Sequence, residues 1–125
     1  MSELQRPRLI VCTTCRAGRA LADGEIPPGA QLHAAVQALL AHSAAVDLRD
    51  VACLANCDRG CSAAIAMPGK WTYLLGRLDP TLARDLLVYA GIYAASANGT
   101  VMPSRRPASL REIVMGRVPD LEDHP

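Results

Sequence analysis

Arg8-Leu9-Ile10-Val11-Cys12-Thr13-Thr14-Cys15 opens on a short apolar run rich in β-branched residues and closes on two cysteines. Such a run, stopped by a CxxC, reads as a buried first strand ending at the thiols. The same arrangement recurs downstream. Val46 and Leu48 alternate with Asp47 and Arg49, and Val51 and Ala52 then lead into Cys53. Alternation with period two marks a strand, so a second strand also ends at cysteines. Between them, residues 16–29 carry Gly18, Gly24, Pro27, Pro28 and Gly29 and read mostly as loop. Leu32, Val36, Leu39 and Leu40 follow at helical spacing and predict a helix over 30–43.

Beyond the second cysteine group, residues 62–67 form a weak strand and Trp71 to Leu75 a better one. Pro68-Gly69-Lys70 between them makes the pair a hairpin. Asp79 is a good helix cap and Pro80 suits a first helical position. Leu82, Leu86, Leu87, Tyr89, Ala90 and Tyr93 then supply an apolar face up to Ser96, and Asn98-Gly99 ends the helix. Pro103, Pro107, Pro119 and Pro125 interrupt the remainder, which reads as an irregular arm with a short helix over 109–115. The order β-α-β-β-β-α is the plan of a small thioredoxin-like α/β domain with a mixed sheet. The expected division is a metal-binding domain over 1–99 and a C-terminal arm over 100–125. Removal of residues from 104 onward is expected to leave metal binding intact.

Composition narrows the function. A chain of 125 residues fits one domain and can bury a core without disulfide staples. Half of the residues are apolar, which argues against disorder. Trp71, Tyr73, Tyr89 and Tyr93 are the only aromatics, so the core falls to Leu, Val, Ile and Ala. A net charge of +1 does not suit phosphate neutralisation, so no nucleic-acid partner is expected. Arg105, Arg106, Arg111 and Arg117 read as a solvated tail facing a partner. The apolar runs fall short of the ~20 residues of a membrane span, and the polar residues 1–8 predict no secretory signal. A cytoplasmic protein is expected.

The five cysteines are Cys12, Cys15, Cys53, Cys57 and Cys61. In a reducing compartment, thiols in two tight groups read as metal ligands or redox groups rather than staples. If the two strands are parallel neighbours, only ~5 Å apart, their loops leave one edge and bring four thiolates to one small site. Four thiolates suit a [2Fe–2S] cluster or tetrahedral zinc. The second group is CxxxCxxxC, which is not a zinc knuckle. Gly60 lets the backbone approach closely.

Cys53-Leu54-Ala55-Asn56-Cys57-Asp58-Arg59-Gly60, then Pro68-Gly69-Lys70-Trp71-Thr72-Tyr73 and a closing helix, resemble the thioredoxin-like [2Fe–2S] ferredoxins. The chain resembles more closely an uncharacterised bacterial family of predicted metal-binding proteins, through residues 11–16, 53–64 and 68–75. The resemblance implies a [2Fe–2S] cofactor, with Cys12 and Cys15 on one iron and Cys53 and Cys57 on the other. Two departures stand out. The ferredoxins place their second cysteine well beyond the first, at the start of the helix. Cys61 also stands where they usually carry proline, which makes it a substitute ligand or a spare thiol at the site. The resemblance further implies a setting in cobalamin or metal metabolism, a protein redox partner and a homodimer.

Three functions compete. The first is an electron carrier or redox sensor with no substrate chemistry, and so not an enzyme, with Arg16 and Arg59 shaping its docking surface. The second is a zinc- or cobalt-binding module or carrier, for which Cys₄ and a spare thiol are suitable. The third is a thiol–disulfide oxidoreductase. That mechanism needs a thiolate of low pKa at a helix start, whereas Cys15 precedes a loop rich in Gly and Pro. His33 and His42 are not paired at i,i+4, and they read, with His124, as surface residues. Gly69 and Gly76 read as turn residues, because no phosphate-loop pattern is present.

Overall fold

A computed structural model of the chain describes residues 6–41 and 45–120. His42 and His124, and the predicted end of the first helix at Ser43, lie outside the described residues. So does the side chain of Cys57.

Five strands form one mixed sheet. They are β1 (Arg8–Cys12), β2 (Asp47–Val51), β3 (Ala63–Ala66), β4 (Thr72–Leu75) and β5 (Val114–Val118), in the order β2-β1-β3-β4-β5. β1 and β2 are parallel, in a register that sets Cys12 opposite Val51. The other pairs are antiparallel. The parallel pair needs a crossover, supplied by α1 (Pro28–Leu40). α1 packs on β1 and against α2 (Ala83–Ala95). This is the thioredoxin-like α/β plan that the order of elements predicts.

The predicted elements form for the predicted reasons. In β1, Leu9 and Val11 alternate onto the buried face. Leu32 and Val36 of α1 are fully buried, and Leu39 and Leu40 pack at the margin. Gly69 takes φ +80° in the β3–β4 turn, a conformation that glycine adopts without steric cost. Asp79 accepts a hydrogen bond from the Thr81 N–H at 2.8 Å, capping a 3-10 turn (Pro80–Leu82) that runs into α2. Leu86, Tyr89 and Tyr93 carry the buried face of α2. Tyr93 meets Tyr73 edge to face at 6.2 Å and donates its hydroxyl hydrogen to the Trp71 carbonyl at 2.6 Å. Lys70, read from sequence only as a turn residue, donates through Nζ to the Ala94 carbonyl at 2.8 Å and to that of Ser96. It thereby satisfies free carbonyls at the end of α2.

The departure from expectation lies after residue 99. In place of an irregular arm with a helix over 109–115, the chain makes 3-10 turns at Pro103–Arg105 and Ala108–Leu110 and then the edge strand β5. Val101, Leu110 and Ile113 join the core. Arg106 is not a solvated tail residue, since it donates to the carbonyls of Val101 and Arg111. Arg117 stacks 4.2 Å from the Trp71 ring centroid. Ser109 bonds to Asp85 of α2 at 2.6 Å. Leu110, Ile113 and β5 all lie beyond residue 104, so the expectation that this segment is dispensable loses its structural basis. Gly116 in mid-strand and the flanking prolines hid β5 from the periodicity.

Candidate metal centre

The register of β1 with β2 fixes where the thiols go. Both strands end on the same edge, and the two cysteine loops leave from there. Thr13 and Thr14 tie the loops together. The Thr13 N–H donates to the Val51 carbonyl at 2.9 Å, and the Thr13 hydroxyl donates to the same oxygen at 3.3 Å. The Thr14 hydroxyl donates to the Ala52 carbonyl, as does the Cys12 thiol at 3.7 Å. The threonines of the CxxC therefore hold the approach to Cys53 against the end of β1.

Two glycines let the first loop close on the core. Gly29 lies in the first turn of α1 beneath the CxxC turn, donating its N–H to the Cys15 carbonyl at 3.0 Å. A Cβ there would lie 2.0 Å from the Cys12 carbonyl oxygen. Gly60 faces Cys15 across the site, and a Cβ on it would lie 1.7 Å from the Cys15 sulfur. From sequence Gly29 reads as a loop residue. Its close approach is a long-range contact that no local pattern reports.

The second loop is held from below. A 3-10 turn (Cys57–Arg59) follows Asn56. Asn56 donates to the buried Ser62 hydroxyl at 3.0 Å, which ties the loop to the start of β3. Arg59 to Cys61 then pair with the continuation of β4. The Arg77 N–H donates to the Arg59 carbonyl at 2.5 Å, the Cys61 N–H to the Leu78 carbonyl at 2.9 Å, and the Leu78 N–H to the Cys61 carbonyl at 3.0 Å. Gly76 is not simply a turn residue, for a Cβ on it would meet the Arg59 carbonyl at 2.7 Å and Asn56 at 2.8 Å. The Gly76 N–H donates to Ile113 at 2.8 Å, so the C-terminal segment supports this loop indirectly.

These constraints sort the cysteines. Cys12, Cys15 and Cys61 are buried and belong to the core cluster, whereas Cys53 is exposed. Cys53 accepts a hydrogen bond from the Ala55 N–H at 3.2 Å, with Ala55 in the left-handed region at φ +58°. Cys61 has its pKa pushed up to about 12. Burial is the largest cause, followed by the charge and side chain of Cys15, then by Asp79 and Cys12. The Cys61 thiol thus lies in the core beside Cys15, in the reach of Cys12. Arg16 and Asp58 help to line an open cleft of about 520 Å³ that borders Cys15. His33 is half-buried on α1.

Among the described residues, no three of His, Cys, Asp or Glu form a group that could hold a metal ion. The donor chemistry nevertheless suits a soft metal centre, with two buried thiols, a third beside them and an exposed one on the neighbouring loop. No helix among the described residues is long and apolar enough to cross a membrane.

Fold and site together define a thioredoxin-like α/β domain with cysteines gathered at one end of its parallel strand pair. A family model described as "Protein of unknown function (DUF1636)" matches residues 9–120, and the chain belongs to that family. Among solved structures, a thioredoxin-like [2Fe–2S] ferredoxin from Aquifex aeolicus is similar in fold. It has a TM-score of 0.58 at 9% sequence identity, over 95% of this chain and 98% of that one. No curated protein matches the chain.

Proposed function

We propose that the chain is an iron–sulfur protein that holds a [2Fe–2S] cluster on its cysteines and exchanges single electrons with a protein partner. The observation that carries this reading is the parallel register of β1 and β2, which sends the Cys12–Cys15 and Cys53–Cys57 loops out from one edge. The fold shared with a [2Fe–2S] ferredoxin adds support. In this reading Cys12 and Cys15 bind from the core side and Cys53 from the solvent side, with Cys57 as the fourth ligand and Cys61 as the substitute ligand. A bound cluster supplies one-electron chemistry. The chain's own part is to fix the thiols on backbone hydrogen bonds, to donate the Ala55 N–H to the Cys53 sulfur, and to keep one ligand exposed for a partner. Arg16 and Arg59, both exposed, flank that approach.

The position of Cys61 favours a second reading, a zinc or cobalt site. Cys61 lies beside Cys15, so in this reading the two would share a metal ion with Cys12 and a further thiolate of the second loop drawn in to complete a tetrahedral set.

The cysteine series tests both. Iron, sulfide and zinc are assayed in anaerobically purified wild type and in single Cys→Ser variants. The cluster reading expects Cys53→Ser and Cys57→Ser each to lose most of the iron and sulfide together. Full iron and sulfide in Cys57→Ser contradicts the proposed ligand set.

A further inference from the structure

Cys15 and Cys61 come from different loops and meet inside the protein. Cys15 is 4% exposed and Cys61 is fully buried. The Cys15 sulfur occupies the place of a side chain on Gly60, the residue before Cys61, and the Cys15 side chain acts directly on the Cys61 thiol. Both are free thiols. Their backbones are pinned independently, Cys15 by the Gly29 N–H and Cys61 by its two bonds with Leu78. Cys12, the other member of the CxxC, acts on Cys61 more weakly than Cys15 does, and its sulfur has the Thr14 hydroxyl at 3.9 Å and the Ala52 carbonyl at 3.7 Å as hydrogen-bond partners. Only Cys15 of the buried pair borders the open cleft lined by Thr14, Arg16, Arg19 and Asp58. Arg19 is occupied by Glu25 at 2.6 Å, which leaves Arg16 to meet an incoming carboxylate.

We propose that Cys15 and Cys61 are a thiol pair that closes reversibly into a disulfide by exchange with a small, carboxylate-bearing disulfide entering this cleft. The Cys15 sulfur attacks the small disulfide. A bond forms from Cys15 to one of its sulfurs, its S–S bond breaks, and the first small thiol leaves with the proton that Cys15 gives up. The Cys61 sulfur then attacks the Cys15 sulfur. The Cys15–Cys61 bond forms, the mixed disulfide breaks, and the second small thiol leaves with the Cys61 proton. Two protein thiols are oxidised and one disulfide is reduced to two thiols. One consequence rests on the metal-site reading above: a closed pair withdraws two candidate ligands, so loading of the centre depends on the thiol–disulfide balance.

The test uses the full chain, reduced, stripped of metal with a chelator and freed of reductant under anaerobic conditions. It is incubated with oxidised glutathione, its remaining thiols are alkylated, and its intact mass and tryptic peptides are measured. Trypsin separates the cysteines into peptides 9–16, 50–59 and 60–70. The proposal predicts the loss of two hydrogens and a link between peptides 9–16 and 60–70. That link persists in Cys12→Ser and vanishes in Cys15→Ser and Cys61→Ser. A bridge within peptide 9–16, a bridge to peptide 50–59, a lasting glutathione adduct on Cys15, or no oxidation overturns it. Metal uptake by the reduced chain is read separately. Its absence counts against the metal-site reading and leaves the peptide map to decide the disulfide.

Discussion

The sulfur of Cys15 stands where a side chain on Gly60 would begin, 1.7 Å from the position of its Cβ. One glycine thus makes room for a thiol from another loop, beside the fully buried Cys61. Gly60→Ala must push the Cys15 sulfur out of this position. Overpacking of this kind costs about 1–3 kcal/mol. The expected outcome is a lower denaturation midpoint together with reduced metal uptake, read by urea titration and metal analysis of the same preparation.

Gly29→Ala is expected to be worse. There the added Cβ meets the Cys12 carbonyl oxygen at 2.0 Å, and backbone cannot swing aside as a side chain can. Either α1 shifts off the CxxC turn or the turn opens. We expect a loss of stability larger than that of Gly60→Ala in parallel urea titrations. Equal or higher stability would contradict the packing of α1 under the first cysteine loop.

The last part of the chain belongs to the sheet. Removing residues from 104 onward deletes β5, strips the edge of β4 and takes Leu110 and Ile113 from the core. Burial of each such side chain is worth about 1.5–3 kcal/mol. The truncated chain is expected to melt well below the full chain or to lose its cooperative transition, as followed by circular dichroism.

Tyr89 supplies a pH-dependent test away from the thiols. Its ring is fully buried, and its hydroxyl has no hydrogen-bond partner among the described residues. Burial, the main cause, pushes its pKa up from 10 to about 12. The unfolded chain gives up this proton near pH 10 and the folded chain does not. Stability is therefore intact below pH 10 and falls as pH rises from 10 toward 12. Tyr89→Phe removes an unsatisfied polar atom at nearly constant shape. It is expected to be neutral or stabilising by up to about 1–2 kcal/mol at pH 7, with a shallower alkaline decline. Thermal melts of both proteins across pH 7–11 check this.

Much of this architecture is legible in the sequence because it rests on local rules. The β-branched run before Cys12, the alternation before Cys53, the Pro68-Gly69 turn and the Asp79-Pro80 helix start each announce an element by neighbouring residues alone. What the sequence hides is set at long range. Gly29, Gly60 and Gly76 matter because of what approaches them from elsewhere in the chain. The place of Cys61 depends on its pairing with Leu78, seventeen positions on in the numbering. β5 is short, interrupted by Gly116 and held by β4 rather than by its own pattern. The thiols could be grouped from their spacing, but their division into buried Cys12, Cys15 and Cys61 and exposed Cys53 could not.

The central claim is that these cysteines hold an iron–sulfur cluster. The measurement that tests it most directly is an anaerobic ultraviolet–visible spectrum of the freshly purified protein, with iron, acid-labile sulfide and zinc assayed on the same sample. The account predicts a red-brown protein with visible charge-transfer bands and equal iron and sulfide. A colourless protein that carries stoichiometric zinc, and that gains no colour on anaerobic reconstitution with iron and sulfide, would contradict it.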